Sequence, residues 1–367
     1  MIKYHKERRS LLNIIWCVVG ILLITGVIFV YSASSVLALA QYGSAHYFLK
    51  KHLLGLFLGL LTAWCIQWIP IKMIQKYAPL FFWFTLLLTA ATLLPACSYL
   101  IHGSRRWLTI VAFAFQPSEL LKVSLPLYIA TFLDTVYHQQ KPAGIVYIVL
   151  GTILVSTSTL LLLQPDFGLT VTLLLTTLAL LFVAQYNLTQ IGYWCGALGI
   201  ISGILIAMRP YRMRRMLTFL NPWADPRGTG FQIIQSLIAI GNGHWIGTGI
   251  THSKQKFFYL PMQHTDFIFA IIAEEIGFVG CIFLILMYAL FLYAGLRLAT
   301  LMPTLFTQLT IVGYATLIGL QTIINMAVVT GLAPTKGMGL PFISYGNTAL
   351  VSLCIMIGIM TLFAREA

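Results

Sequence analysis

The chain has 367 residues, 59% of them hydrophobic and only 8% charged, with a mean hydropathy of +0.90. A soluble domain carries about 25% charged residues, so water is excluded as the main solvent. Backbone groups in hydrocarbon must be satisfied within helices or a closed barrel. The apolar runs are continuous, without the short alternating strands a barrel needs. The expected fold is an all-α polytopic membrane protein, one unit over 1–367, with about ten spans. The net charge of +13 sits in short inter-helix loops. That placement points away from nucleic acid and toward anionic lipid headgroups or an anionic lipid-linked substrate.

In chain order, the apolar runs predict helices over 11–37, 53–70, 77–96, 118–134, 144–163, 167–185, 189–208, 266–297, 304–330 and 342–364. The first run is too long for a signal-peptide core and lacks a small-residue cleavage site, so it reads as a retained span. Lys3, Lys6, Arg8 and Arg9 favour a cytoplasmic N-terminus over 1–10, and an even number of spans returns the C-terminus to the same side. That orientation leaves Lys50, Lys51, Arg105, Arg106, Arg212, Arg214, Arg215 and Lys336 outside, against the positive-inside tendency. Either the topology is inverted or the outer face has a use for cations, and the second reading is preferred. Residues 209–265 form a long extracytoplasmic loop, a length usually reserved for function. Six scattered cysteines and eight scattered histidines show neither a disulfide framework nor metal spacing.

Several polar groups stand out. Pro117 is placed to open a helix, on which Glu119 and Lys122 share a face. They are either a mutual ion pair that lets both enter the membrane or part of a site. Asp166, in Gln164-Pro165-Asp166-Phe167-Gly168, fits ordinary turn chemistry. The basic 211–216 stretch reads as interfacial, and the glycine-rich 241–249 stretch is a weak phosphate-binding signal. Thr265 is placed to cap the eighth span with Asp266 in its first turn, where a carboxylate is favoured. On chemistry alone this cap reading outweighs a second one, in which Asp266 sits at a cavity lip to accept a proton or hold a divalent cation. Glu274 and Glu275 lie two turns deeper and are expected to be paired in packing. The Gly- and Pro-rich 333–346 segment suggests re-entrant or broken backbone, with Lys336, Ser344 and Tyr345 facing a cavity.

The GSRRW…FQPSELLK, LLQPDFG, YLPMQHTDFIFAIIAEEIG and PTKGMGLPFISYG segments, in this order, closely resemble the SEDS family (shape, elongation, division and sporulation proteins) over essentially the whole chain. The 42–50 stretch is more similar to its division branch than to its elongation branch. The resemblance implies a peptidoglycan glycosyltransferase that polymerises lipid II at the outer face of the bacterial cytoplasmic membrane. It implies as partners a class B penicillin-binding protein, undecaprenyl-pyrophosphate-linked glycan and other division or elongation proteins. The family's essential aspartate falls on Asp266, its glutamate on Glu119 and its lysine on Lys122, which shifts Asp266 toward function. Asp266 is then a general base, or a ligand of a divalent cation (Mg or Mn), with no organic cofactor expected. Arg105, Arg106, Arg212 and Arg215 are expected to neutralise the pyrophosphate leaving group. Glu119 and Lys122 are expected to form the cavity floor, and His264, Thr265, Lys336 and Ser344 to line the substrate site. One departure is that Asn347 and Thr348 follow Gly346, where the family continues with glycine and small hydroxyl residues. Two other readings stay open, a lipid II flippase and a non-catalytic scaffold for the penicillin-binding protein.

Overall fold

The computed structural model describes residues 2–366 apart from 96–97, 99–103, 111–112, 141–142, 229, 258 and most of 187–216. The predicted 189–208 span, with Arg212 and Arg215, lies outside the described residues. The described helices are α1 (Ile2–Tyr42), α2 (Tyr47–Ile66), α3 (Ile71–Ala91), α4 (Pro117–Gln139), α5 (Ala143–Leu163), α6 (Phe167–Val183), α7 (Phe231–Asn242), α8 (Ile268–Ala299), α9 (Leu305–Val329) and α10 (Asn347–Glu366). Among the described residues, seven helices (α1, α2, α4, α5, α8, α9 and α10) are long and apolar enough to cross a membrane. A short antiparallel hairpin, β1 (Leu108–Ile110) with β2 (Phe113–Phe115), leads into α4 and was not predicted.

Three boundaries differ in an instructive way. Helices α2 and α3 begin at Tyr47 and Ile71 rather than at 53 and 77. Hydropathy discards first turns that carry Lys50, Lys51, Lys72 and Lys76, although lysine forms helix well and its stem lies along apolar surface. At the other end of the chain, α10 opens at Asn347 instead of 342, because 341–346 is turn rather than helix.

Helices α2 and α10 pack through small residues spaced four apart, Gly55, Gly59 and Ala63. A Cβ on Gly59 would lie 2.8 Å from Cys354 Sγ, and one on Gly358 would lie 2.9 Å from Ala63 Cα. Without a hydrophobic drive between helices in lipid, close approach of this kind supplies the packing energy.

Helix α8 is broken at Gly277 (φ 66°, ψ −167°), a backbone region essentially closed to other residues. A break strands carbonyls before it and N–H groups after it, and the 243–249 loop supplies their partners. Thr248 N and Gly249 N donate to the Glu274 and Glu275 carbonyls at 2.9 and 3.0 Å. In return Phe278 N and Val279 N donate to the His244 and Trp245 carbonyls at 2.9 and 3.1 Å. Any Cβ on Gly243 or Gly247 would overlap α8 main chain. Gly243 and Gly247 thus serve close backbone packing rather than a phosphate cradle.

Candidate active site

The turn that carries Asp266 is folded around one carbonyl. Met262 O accepts from Thr265 N (3.2 Å), Phe267 N (3.3 Å) and Thr265 Oγ1 (3.2 Å). Helix α8 starts only at Ile268, and its N-cap, Phe267, makes no side-chain cap bond. The expectation that Thr265 caps the helix with Asp266 in its first turn is therefore corrected: the Thr265 hydroxyl is turned back onto Met262. Asp266 projects from a half-buried turn ahead of the helix.

The 335–346 segment lies against this turn. Ser344 Oγ donates to Thr265 O (2.5 Å) and accepts from Leu340 N (2.7 Å), while Tyr345 N donates to His264 O (3.0 Å). From α9, Asn325 Nδ2 donates to Asp266 O (2.8 Å) and Met338 O (2.7 Å), and Gln321 Nε2 donates to Gly339 O (2.8 Å). Met338, Leu340, Phe342 and Ile343 are buried. The segment is thus non-helical backbone enclosed by protein, the condition under which such backbone is tolerated at membrane depth. Ser344 spends its hydroxyl inside this strap rather than facing a cavity.

Beside it stands a charged cluster. Asp166 is the N-cap of α6, with Oδ1 accepting from Leu169 N at 3.2 Å, and its Oδ2 lies 3.4 Å from Arg106 Nη1. Arg106 also donates through Nε to Gln164 O (2.9 Å) and through Nη2 to Pro165 O (2.7 Å). The turn chemistry expected of Asp166 is present, joined by an ion pair that spacing did not reveal. Lys336 Nζ stands 5.6 Å from the Phe167 ring centroid. Burial pushes the Lys336 pKa below the usual lysine value, with the nearby Asp166 charge opposing the fall.

Gly337 joins the two halves. A Cβ there would lie 3.5 Å from Asp266 Oδ2 and 4.0 Å from Arg106 Nη1, so carboxylate and guanidinium flank one exposed glycine. Arg105 is half-buried and makes no hydrogen bond or ion pair among the described residues.

Glu119 and Lys122 form a buried ion pair at 2.7 Å, and Lys122 Nζ also donates to Gln321 Oε1 (3.1 Å). They lie behind the 335–346 segment and are satisfied by protein groups. His264 is buried between Phe48 (centroids 4.6 Å apart) and Tyr345 (5.7 Å). Burial pushes its pKa down to about 4, so at neutral pH it is uncharged and lends no cation to the site. Glu274 and Glu275 are buried as expected: the first accepts from Ser253 Oγ, Lys254 N and Gln255 N, the second from Ser32 Oγ, Ser253 N and Lys256 Nζ. At the departure after Gly346, Asn347 has no positive φ and opens α10, and Thr348 Oγ1 accepts from Gln116 N at 3.3 Å.

The "Cell cycle protein" family model, covering FtsW, RodA and SpoVE, matches residues 12–367. The chain belongs to this family. A relative from Coxiella burnetii, "Probable peptidoglycan glycosyltransferase FtsW", is 39% identical over 352 residues, covering 94% of each chain. "Stage V sporulation protein E" of Bacillus subtilis is 34% identical over 355 residues, covering 96% of this chain and 97% of that one. Among solved structures, one described as "Structural coordination of polymerization and crosslinking by a peptidoglycan synthase complex" aligns at a TM-score of 0.77 and 29% identity, over 97% of each chain. The crystal structure of Thermus thermophilus rod shape determining protein RodA aligns at 0.71 and 26% identity, over 96% of each. The polytopic helical fold and the family expected from the motifs are both borne out. Motif reading passed over Gln321 and Asn325, although two amides four apart in an apolar span are themselves a signal.

Proposed function

We propose that this chain is a peptidoglycan glycosyltransferase that polymerises lipid II, and that the Gly337-centred cluster of Asp266, Arg106 and Lys336 is its reaction site. The observation that carries this reading is the Asp266 carboxylate beside Arg106, reachable past an exposed glycine. Asp266 takes the proton from the acceptor sugar hydroxyl of lipid II as its oxygen attacks the anomeric carbon of the donor glycan. The bond from that carbon to undecaprenyl pyrophosphate breaks, and the leaving group departs with the electron pair. Arg106 and Lys336 offset the charge that grows on the pyrophosphate. Glu119 and Lys122, being buried and paired, support the site from behind rather than touch the sugar.

Among the described residues there is no group of three His, Cys, Asp or Glu fit to hold a metal alone. A single carboxylate does fit the mode of Mg, which is commonly bound through one or two carboxylates plus substrate phosphates. Asp266 would hold such an ion, which would supply further neutralisation of pyrophosphate. The N-terminal Lys3, Lys6, Arg8 and Arg9 support cytoplasmic termini and hence a site on the outer face of the cytoplasmic membrane. The likeness to a peptidoglycan synthase complex supports a class B penicillin-binding protein as crosslinking partner. The relatives' names favour the division branch.

A flippase fits less well, because the midspan carboxylates Glu274 and Glu275 are committed to the 251–256 loop. The test is lipid II polymerisation by purified protein with its cognate transpeptidase, comparing wild type with Asp266→Ala and Asp266→Asn. Glycan ladders from wild type alone support the assignment. Equal ladders from all three remove Asp266 from the chemistry, and none from wild type rejects the polymerase reading.

A further inference from the structure

Two amides on α9 reach the backbone of both segments that form the site. Gln321 and Asn325 are one turn apart, so they share a helix face, and both are buried, at 3% and 2% exposure. Asn325 gives away both amide hydrogens, to the main-chain carbonyls of Asp266 (2.8 Å) and Met338 (2.7 Å). With two acceptors facing the nitrogen, the amide cannot be flipped without setting oxygen against oxygen. Its Oδ1 accepts no hydrogen bond, so the side chain sacrifices one buried acceptor to hold two carbonyls. Gln321 is oriented from its other end. Its Oε1 accepts from Lys122 Nζ (3.1 Å), which turns its nitrogen to the Gly339 carbonyl (2.8 Å). Lys122 is in turn held by Glu119 at 2.7 Å.

We propose that Asn325 is a positioning residue that sets the Asp266 carboxylate against Arg106, and that Gln321 ties this setting to the buried ion pair on α4. The inference deepens the glycosyltransferase reading and rests on it. Asp266 sits in a turn, outside the hydrogen-bond ladder of α8, so its main chain needs an external anchor. Gly337, which lies between carboxylate and guanidinium, directly precedes Met338, the other residue Asn325 holds. One amide therefore fixes both walls of the gap in which substrate would react. Neither amide is exposed enough to touch a lipid-linked sugar. Loss of either should lower turnover and leave substrate binding alone.

The experiment measures steady-state lipid II polymerisation and thermal unfolding in detergent for the protein with its transpeptidase. Asn325→Leu keeps the branching at Cγ and removes the donors; Gln321→Met keeps the length. Asn325→Leu is expected to lower kcat roughly a hundredfold, the cost of about 1 Å of misplacement. KM should stay within about threefold. Gln321→Met, one bond further from Asp266, is expected to lower kcat on the order of tenfold with KM unchanged. A merely space-filling Asn325 predicts wild-type kcat in Asn325→Leu, and that result overturns the proposal. A rise in KM at constant kcat also overturns it, since the residue would then be touching substrate. If Asn325→Leu fails to fold, unchanged turnover in Gln321→Met is decisive against the relay. Wild type and Asp266→Ala run alongside: an active wild type and inactive Asp266→Ala keep a failure here distinct from failure of the polymerase reading.

Discussion

Replacing Lys122 by methionine tests what the Glu119–Lys122 pair contributes. The substitution keeps an unbranched chain out to Cε while deleting the ammonium. In the structure Lys122 is 3% exposed, its ammonium is 2.7 Å from Glu119 Oε2 and 3.1 Å from Gln321 Oε1, and Glu119 is 8% exposed. Removing it strands a buried carboxylate, a change that costs about 3–5 kcal/mol when one partner of a buried pair is lost. Glu119→Leu strands the ammonium at a similar cost. The double variant strands neither, and apolar replacement of a whole buried pair is often neutral or stabilising by about 1–4 kcal/mol. Unfolding in mixed micelles should therefore show strong non-additivity, with the double variant more stable than either single one. Turnover should not return with stability, because Gln321 has lost the cation that orients it. Additivity to within about 0.5 kcal/mol would refute the pairing. Wild-type turnover in the double variant would refute the positioning role assigned to the pair.

Other outcomes follow from local geometry. Gly277→Ala meets both a closed backbone region, costing about 1–3 kcal/mol, and overlap with Gly247, so its thermal midpoint should fall sharply. Gly20→Ala, with nothing within 4 Å of the new Cβ, should leave the midpoint unchanged or slightly raised. Burial holds the His264 pKa at about 4 against an ordinary 6.5, so the unfolded chain binds the extra proton and stability is lost as pH falls through that window. A His264→Phe variant should lose this part of the acid sensitivity, measured as the difference between two unfolding-versus-pH curves. Glu275→Gln leaves Lys256, 3% exposed and 3.4 Å away, without its charge partner and should destabilise by about 3–5 kcal/mol in denaturant titrations.

The fold was legible where composition acts over many residues. Long apolar runs with no alternative partner for their backbone can only be helices, and the Gly- and Pro-rich 333–346 stretch announced itself as irregular. Boundaries slipped where lysines open a helix, as at Lys50 and Lys72, since hydropathy counts the charge and not the stem. The site was less legible. Asp266 looked like a helix cap because Thr265 precedes it, and only the turn around Met262 O shows the hydroxyl facing backward. Arg106 and Asp166 are 60 residues apart in sequence, and no local pattern records their meeting. The same holds for α9, whose amides act on segments on either side of it in the chain. The break at Gly277 was missed because a glycine in an apolar helix signals little until the loop that replaces its hydrogen bonds is seen.

The arrangement of helix ends explains why one face gathers so much cationic function. The N-termini of α4, α6, α8 and α10 all border the 335–348 stretch: Gln116 N meets Thr348, Gly168 packs on Lys336 and Met338, and Asp266 lies two residues before the start of α8. Each N-terminus presents unpaired N–H groups and about half a positive charge. Arg106 and Lys336 add side-chain cations to that fixed field, while Asp166 caps α6 and neutralises part of it. On the proposed function, a pyrophosphate at these helix ends would be held by dipoles that are fixed in the fold. Such a field suits a site where leaving-group charge must develop in place. The same fixed dipoles would oppose moving that group away from the helix ends.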